Sequence, residues 1–470
     1  MKKIQREDHP VSTHQTVTSI IKLNTGRKTI KIETTDQKLS AHAGQAMFWG
    51  FVHLRKLRSV LDSVMPYQPS SPNALRPVEI ALSFIGGILA GADKLTRIAQ
   101  LRQDPVLSEV MDIKRLPSQS TLSRFLARFE GAAQNWRVFR PLWHWCMMRL
   151  PSLKGGYSLD LDSTELLHED GHQEGVKIGY TRKGLKPCLH PLLAVIEEAK
   201  LVVQFWLRPG NAPSAGNVVN FTLDLLANLP RHIRLKLVRA DCGFCEDPWL
   251  NLLESRGLRY IVVAKLNIKI QKIIKKDIQW SATPIAGTEV AQMNYQGRNW
   301  SRARRLILIR HRVQENNRSG GKVLLDCPGY HFQALVTNLP LSVEPIQVWR
   351  DYNGRAGIES AIKELDYGFG LPQLCCEKFW ATEAALSLAV LTYNLNILFQ
   401  RHLGWMERVN VATLRHRLFQ NAGLISFAQG LSTIKIAIAR QNRAWWHRVW
   451  EKILSPIPNC NAVGNRPTFA

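Results

Sequence analysis

Between Tyr157 and Thr164 the chain reads Y-S-L-D-L-D-S-T. Apolar Tyr157, Leu159 and Leu161 alternate with polar Ser158, Asp160 and Asp162, the two-residue period of a β-strand. Asp162 stands where the strand runs out into Ser163 and Thr164, and an acid at a strand end projects into the crevice at the edge of a sheet. A second strand ending in an acid follows at Leu235 to Asp241, L-K-L-V-R-A-D. A third acid, Glu359, falls in a helical stretch. Carboxylates delivered by two strands and a helix suit a pair of divalent metal ions. Asp160, two residues back on the same face, competes with Asp162 for the first position.

Charge narrows the partner. The 470 residues, enough for about three domains, carry 62 Lys and Arg against 37 Asp and Glu, a net charge of +25. The excess clusters at Lys265 to Lys276, Arg298 to Arg312 and Arg440 to Arg448. Such a balance points to a large polyanion, most simply nucleic acid. It argues against a carboxylate-pair hydrolase of sugars, as does the shortage of aromatics around the acids. The cysteines show one C-x2-C, Cys242 and Cys245, and the adjacent Cys375 and Cys376. Without a second pair at finger or ribbon spacing, structural zinc is not expected, and reduced thiols of a cytoplasm are. The first residues carry charge but no apolar core of a signal peptide. The apolar run Val78 to Ala92 holds Glu79 and is too short to span a bilayer, so a buried helix and no membrane association are expected.

Residues 1–45 are polar, with a β-like patch at Thr29 to Glu33, and read as an arm or leader. Residues 46–150 read as a helical DNA-binding domain. Phe48, Phe51, Leu54 and Leu57 recur at helical spacing, and Pro77 suits a first helical turn. Ser118 or Ser120 caps a helix carrying Leu122, Phe125, Leu126 and Phe129. Lys114, Arg115, Gln119, Ser123, Arg124 and Arg128 lie in and around that helix, as a major-groove reader would present them; a packed amphipathic helix is the competing reading. After Asp162, Gly171 to Pro187 reads as a Gly- and Lys-rich connection. Strands follow at Leu189 to Ile196 and Leu201 to Leu207, then a turn at Arg208 to Asn211, a helix over Val218 to Leu229 and the strand ending at Asp241. Asp247 to Arg256 is helical and Tyr260 to Ala264 a strand. This is the order of a ribonuclease-H-like α/β core (151–267) and would set Asp162 and Asp241 on neighbouring strands. Residues 268–345 read as a β-rich insertion and 346–400 as the second part of the core, with one helix over Ile346 to Leu365. Residues 401–470 read as a helical C-terminal region. In it Arg440 to Trp450 is either a packed amphipathic helix, the favoured reading, or a base-stacking strip; a loose tail starts at Pro456.

In Y-N-G-R-A-G-I-E-S-A-I-K-E-L-D, Tyr352, Arg355, Glu359, Lys363 and Asp366 step by three or four and share a helical face. At this point the sequence resembles an insertion-sequence DDE transposase of the type whose third acid lies in a Y-x2-R-x3-E-x6-K signature. Tyr352, Arg355 and Glu359 match that spacing. So do D-S-T at Asp162, V-R-A-D-C-G-F through Asp241, L-R-P-G-N at Leu207 to Asn211, and the early L-R-Q-D-P followed by S-T-L-S-R-F. The likeness covers roughly residues 45 to 400.

The resemblance implies DNA strand cleavage and joining at the ends of an insertion sequence, with Mg2+, or Mn2+ in its place. Asp162, favoured over Asp160 by its D-x-T context, would be the shared ligand, with Asp241 and Glu359 each holding one metal. Two ions about 3.5–4 Å apart clamp the attacking and leaving oxygens of an in-line displacement. Tyr352 and Arg355 would contact phosphate at the cleaved end, where an arginine fork suits a phosphate. Trp300, amid Arg298, Arg302 and Arg304, is the candidate for stacking a flipped base, and Arg124 for DNA contact. The signature's lysine position holds Asp366, which reverses the sign of a phosphate contact; Lys363 is the candidate substitute. The expected partners are double-stranded DNA, as transposon ends and target, and a second copy of the chain on paired ends, in a bacterial cytoplasm at the nucleoid. The alternatives are a metal-dependent nuclease with the same core and a disabled DNA-binding derivative.

Overall fold

The computed structural model describes residues 21–24, 29–169, 171–276, 278–313, 322–324, 327–405 and 407–455. The apolar runs around the first two acids form β1 (Tyr157–Ser163), β2 (Leu192–Ile196), β3 (Leu201–Trp206), α1 (Val218–Asn228), β4 (Leu235–Ala240), α2 (Asp247–Ser255) and β5 (Tyr260–Val263). They lie in the order β3-β2-β1-β4-β5. Strand β4 is parallel to β1 and to β5, while β2 is antiparallel to β1 and to β3. This is the expected ribonuclease-H-like order. The register sets Ala240 beside Leu161, so Asp241 and Asp162 leave the sheet side by side.

The alternation in β1 does not mark a wet face. Its first five residues are all buried, as in a central strand covered on both sides. The polar positions are instead partnered. The N–H and hydroxyl of Ser158 donate to the Glu198 carboxylate, and Asp160 pairs with Arg239 of β4.

The segment read as a β-rich insertion starts with a helix, Ile268–Lys275. Asn267 caps it, its side chain accepting from the N–H of Ile270 at 3.0 Å, and Ile270 and Ile274 are buried on one face. Then come β6 (Thr288–Tyr295), β7 (Arg304–Arg312) and β8 (Cys327–Thr337). They extend the core sheet, with β8 antiparallel to β5 and to β7. Among the described residues this gives one ten-stranded sheet. Lys322–Leu324 pairs with β8.

Other local readings change. Gly171 to Pro187 is not a mere connection: Lys177–Thr181 and Gly184–Leu189 pair as a hairpin, with Leu166–Leu167 as a third strand. Its turn closes at Gly184 with a left-handed φ of 89°, which glycine adopts without strain. Ile178, Tyr180 and Leu185 are exposed, so the two-residue step from Ile178 to Tyr180 marks no core face. The helix expected over Ile346 to Leu365 is two, α3 (Pro345–Asn353) and α4 (Ala356–Gly368). The C-terminal region holds a hairpin, Gly423–Ala428 with Leu431–Ile436, whose third strand is Leu39–Ser40. That partner comes from far up the chain, so local periodicity gave no hint of it. Thr29–Ile32 does form a strand, paired with Ile21–Asn24. The first twenty residues of the polar arm and the tail from Pro456 lie outside the described residues.

Helices cover the sheet. Ala46–Leu54, Pro77–Ala90 and Ala132–Met147 pack with α5 (Phe379–His402), for example through Phe48 and Phe51 against Phe399. Helix α5 is long and apolar enough to cross a membrane, but its most apolar window is wholly buried within the protein; here it is the central core helix. Ser118 caps Gln119–Leu126, accepting from the N–H of Thr121 at 3.2 Å. Leu122, Phe125, Leu126 and Phe129 are buried. Arg443–Leu454 is a packed amphipathic helix, with Val449 and Ile453 buried and Trp445 stacked on Trp405.

Candidate active site

Asp162 stands where β1 ends, and its Oδ1 accepts the N–H of Ser163 at 2.9 Å. Asp241 starts the turn Cys242–Phe244, and its Oδ1 accepts the N–H of Gly243 at 2.9 Å. A Cβ on Gly243 would lie 2.5 Å from that of Ser214, so this turn rests directly on the 213–216 loop. Arg208 holds the loop. Buried, it donates to the carbonyls of His190, Pro213, Ser214 and Gly216, each at 2.9 Å. Burial alone pushes its guanidinium down to about 10. Leu207 beside it donates its N–H to Glu383 of α5 at 3.0 Å. L-R-P-G-N is thus a bracket under the turn that carries Asp241.

Arg208→Ala strands several buried carbonyls and is expected to cost about 2–4 kcal/mol of stability. Arg208→Lys is expected to recover little, because an ammonium lacks the guanidinium fork. Chemical denaturation of the three proteins checks this.

Glu359 arrives in the first turn of α4, its side chain 56% exposed. Arg355, just before α4, is buried and sits between the acids. Its Nη2 is 3.0 Å from Asp162 Oδ2 and donates to the Leu161 carbonyl at 3.2 Å; its Nη1 is 4.0 Å from Glu359 Oε1. Burial raises the Asp162 carboxyl to about 6; Arg355 pulls it down, and Asp241 and Glu359 push it up. Burial likewise works against the charge of Arg355, but Asp162, Tyr352, Asp241 and Asp160 outweigh it and its pKa rises. Burial pushes the Tyr352 hydroxyl up to about 12, with Arg355 opposing and Asp241 and Asp162 adding. Asp162, Asp241, Glu359, Tyr352 and Arg355 thus form one electrostatic unit.

Asp160 does something else. It is fully buried, and both its oxygens accept from Arg239, at 2.6 and 2.9 Å. Arg239 also donates to the Asp351 carbonyl at 2.6 Å, near the end of α3. A Cβ on Gly354 would lie 2.4 Å from Arg239 Nη1, so a side chain there would push the guanidinium from its place. A side chain engaging the carbonyls of a helix end is a physical cause for a break, and α3 and α4 part here. The chain Asp160–Arg239–Asp351 therefore ties the first acid's strand to the joint that aims Arg355 and Glu359. Sequence reasoning passed over Arg239; its signal was a charged residue between apolar Val238 and Ala240 in a strand.

The remaining expected residues are dispersed. Lys363 is exposed one turn after Glu359. Trp300 is half-buried, edge-on to Tyr295 and beneath the guanidinium of Arg304. Arg304 in turn is held by Asp247 and Glu254 of α2. Arg124 lines a separate groove in the helical layer. Asp366 has a buried Oδ1 without a hydrogen-bond partner among the described residues, and burial, with a push from Glu165, raises it to about 7 against the pull of Arg182.

The donor set of Asp162, Asp241 and Glu359 fits a hard divalent cation, which prefers carboxylate oxygen. Their arrangement is not closed around one. Among the described residues, no group of three or more His, Cys, Asp or Glu is gathered so as to hold a metal ion, and Arg355 supplies the positive charge between Asp162 and Glu359.

Comparison with known proteins gives the following. The family model described as "Transposase DDE domain group 1" matches residues 23–457. No curated protein matches the chain. Among solved structures, the chain is similar to a piggyBac transposase in a synaptic complex with hairpin DNA, at 12% identity over 81% of each chain with a TM-score of 0.42.

Proposed function

The chain belongs to the transposase DDE domain family, group 1, enzymes of DNA transposition and recombination, and we propose that Asp162, Asp241 and Glu359 are its catalytic acids. The observation that carries this reading is the grouping at the strand ends: Asp241 follows Ala240, which lies beside Leu161 and so next to Asp162, and Arg355 lies 3.0 Å from Asp162 and 4.0 Å from Glu359. They would hold divalent metal, Mg2+ with Mn2+ as substitute, which when bound stabilises charge on the oxygens of a phosphodiester undergoing in-line displacement.

The protein's own groups do the rest. Asp162 and Asp241 come from rigid strand ends, and Glu359 from the exposed first turn of α4, on the side where DNA enters. Arg355 sets its positive charge against Asp162 and Glu359. With divalent cations held by the acids, the Arg355 guanidinium would be available to fork a phosphate of the DNA backbone beside the Tyr352 hydroxyl. Lys363, one turn on, adds a further phosphate contact. Tyr352, Arg355 and Glu359 are read as the Y-x2-R-x3-E part of an insertion-sequence signature. The DNA is double-stranded, as element ends and target, held by a pair of chains in a bacterial cytoplasm. Residues 46–150 and the 268–345 insertion serve as DNA-binding parts around the core. Asp366 at the signature's lysine position favours a second reading, a disabled DNA-binding derivative.

The deciding experiment incubates the full chain with duplex DNA carrying the flanking ends of its own element, with Mg2+ and with EDTA, beside Glu359→Gln. Metal-dependent nicking followed by joined product, lost in the variant, is the expected result. Nicking without joining makes the protein a nuclease. Specific binding with no nicking makes it the disabled derivative, and Asp366→Lys is then the protein to assay.

A further inference from the structure

A groove of about 680 Å³ opens in the helical layer, and none of its lining residues belongs to the acid crevice. Arg102, Arg115, Arg124 and Arg128 line it, together with Tyr67 and Ser118. All four arginines are exposed. Among the described residues none of them pairs with a carboxylate. Arg115 donates to the Asn73 carbonyl at 3.4 Å, Arg124 to the Ser120 carbonyl at 3.2 Å, and Arg128 lies 5.3 Å over the Tyr67 ring. By contrast Arg239 is paired with Asp160, Arg304 with Asp247 and Glu254, and Arg355 with Asp162. Like charges gathered in one concavity without a counter-charge repel one another, and an anion relieves that repulsion.

The walls are built rather than loose. Glu79, buried, accepts the N–H of Arg76 at 2.8 Å through one oxygen and that of Lys114 at 2.9 Å through the other. This bolts the loop carrying Arg115 to the start of the helix Pro77–Ala90. Ser118 caps the helix that carries Arg124, and buried Leu75, Ile80 and Leu116 form the floor. Planar guanidinium forks and hydroxyls, with no acid among the lining residues, suit phosphate oxygens. A volume of about 680 Å³ is far too small for a double helix and admits only a short stretch of one sugar–phosphate strand.

We infer that this groove holds the phosphodiester backbone of one strand of duplex DNA, as a docking site outside the cleavage crevice. It rests on the reading that DNA is the substrate. The contact is to backbone, so it adds affinity and register without reading bases.

The test measures binding of the full chain to a labelled duplex of arbitrary sequence, and to one carrying the element's end, across a salt series. The variant is Arg115→Gln/Arg124→Gln/Arg128→Gln. The control, Arg231→Gln/Arg234→Gln/Arg256→Gln, removes the same charge at exposed positions before β4 and after α2, at the opposite end of the strands from the acids. The groove variant is expected to bind both duplexes about 10- to 100-fold more weakly at 0.1 M salt, with a salt slope smaller by about 2–3. The control is expected to bind within about 3-fold of the parent chain. Equal losses in both would reduce the effect to net charge and overturn the inference, as would unchanged binding in the groove variant or tighter binding of duplex RNA than of DNA. The three-lysine version, Arg115→Lys/Arg124→Lys/Arg128→Lys, separates charge from misfolding: recovery of at least half of the lost salt slope supports the groove, and no recovery with an unaltered melting curve counts against it. A groove variant that binds weakly, in a chain that never nicks DNA, would sink the cleavage reading and leave the groove standing.

Discussion

Asp162→Asn is expected to lower strand cleavage about a thousandfold or more, a loss of about 4 kcal/mol of transition-state stabilisation, with DNA binding within a few-fold of the parent. Its stability is expected to stay within about 1 kcal/mol, because two effects oppose. The amide ends the cost of an ionised, buried carboxylate and still accepts from Ser163, but Arg355 loses its strongest partner. The pH dependence shows which effect dominates. Burial raises the Asp162 carboxyl from 3.8 to about 6, so between those values the folded state holds a proton that the unfolded state has released. Stability from this group is therefore present at low pH and lost as pH rises from about 4 to about 6. Unfolding free energies at pH 4.5 and 7 should show that decline in the parent chain and a flatter line in Asp162→Asn. A variant that cuts DNA normally would remove Asp162 from the acids.

Asp160→Ala is expected to fail in the opposite way. It leaves Arg239 buried without its carboxylate, and breaking such a pair costs about 3–5 kcal/mol. Denaturant midpoints should drop sharply in Asp160→Ala and hardly at all in Asp162→Asn. Cleavage by Asp160→Ala should also fall, because Arg239 no longer braces the Asp351 carbonyl where α3 meets α4. A double replacement, Asp160→Leu with Arg239→Met, separates the two roles. Apolar side chains of similar volume can restore stability, yet they cannot hold that carbonyl. Recovered stability with poor cleavage marks the pair as a positioning device for Glu359. Recovery of both would make it a packing feature alone.

The two acids lay within two residues of each other in Y-S-L-D-L-D-S-T, and strand periodicity gave them the same face. What divides them is a cross-strand neighbour. The register sets Arg239 beside Asp160, whereas Asp162 lies past the last residue of β4, where no strand partner neutralises it and the helix of the third acid closes over it. The same reason explains the other revisions. The three-to-four-residue step of Tyr352, Arg355, Glu359 and Lys363 was legible and read as one helical face, but Tyr352 lies on α3 and Glu359 and Lys363 on α4, and the break at Gly354 depends on a guanidinium from a strand more than a hundred positions earlier. L-R-P-G-N was legible as a turn; that its arginine organises the seat of Asp241 depends on carbonyls gathered from both sides of it. The hairpins at 177–189 and 423–436 escaped notice because one exposes its apolar residues and the other takes its third strand from residues 39–40.

By itself, the sequence determined the alternating strands and helices, their order, the positions of the acids at strand ends and the cationic balance that selects a polyanion. These follow from periodicity, turn chemistry and charge, which are local or additive and need no fold to be counted. Only the tertiary structure decided which carboxylates are neutralised and which remain to act, that Arg355 stands between Asp162 and Glu359, and that four separated arginines face one groove. Those outcomes depend on burial and on partners brought together from distant parts of the chain, and desolvation, which sets whether a charge is paired or exposed, exists only once the chain has folded.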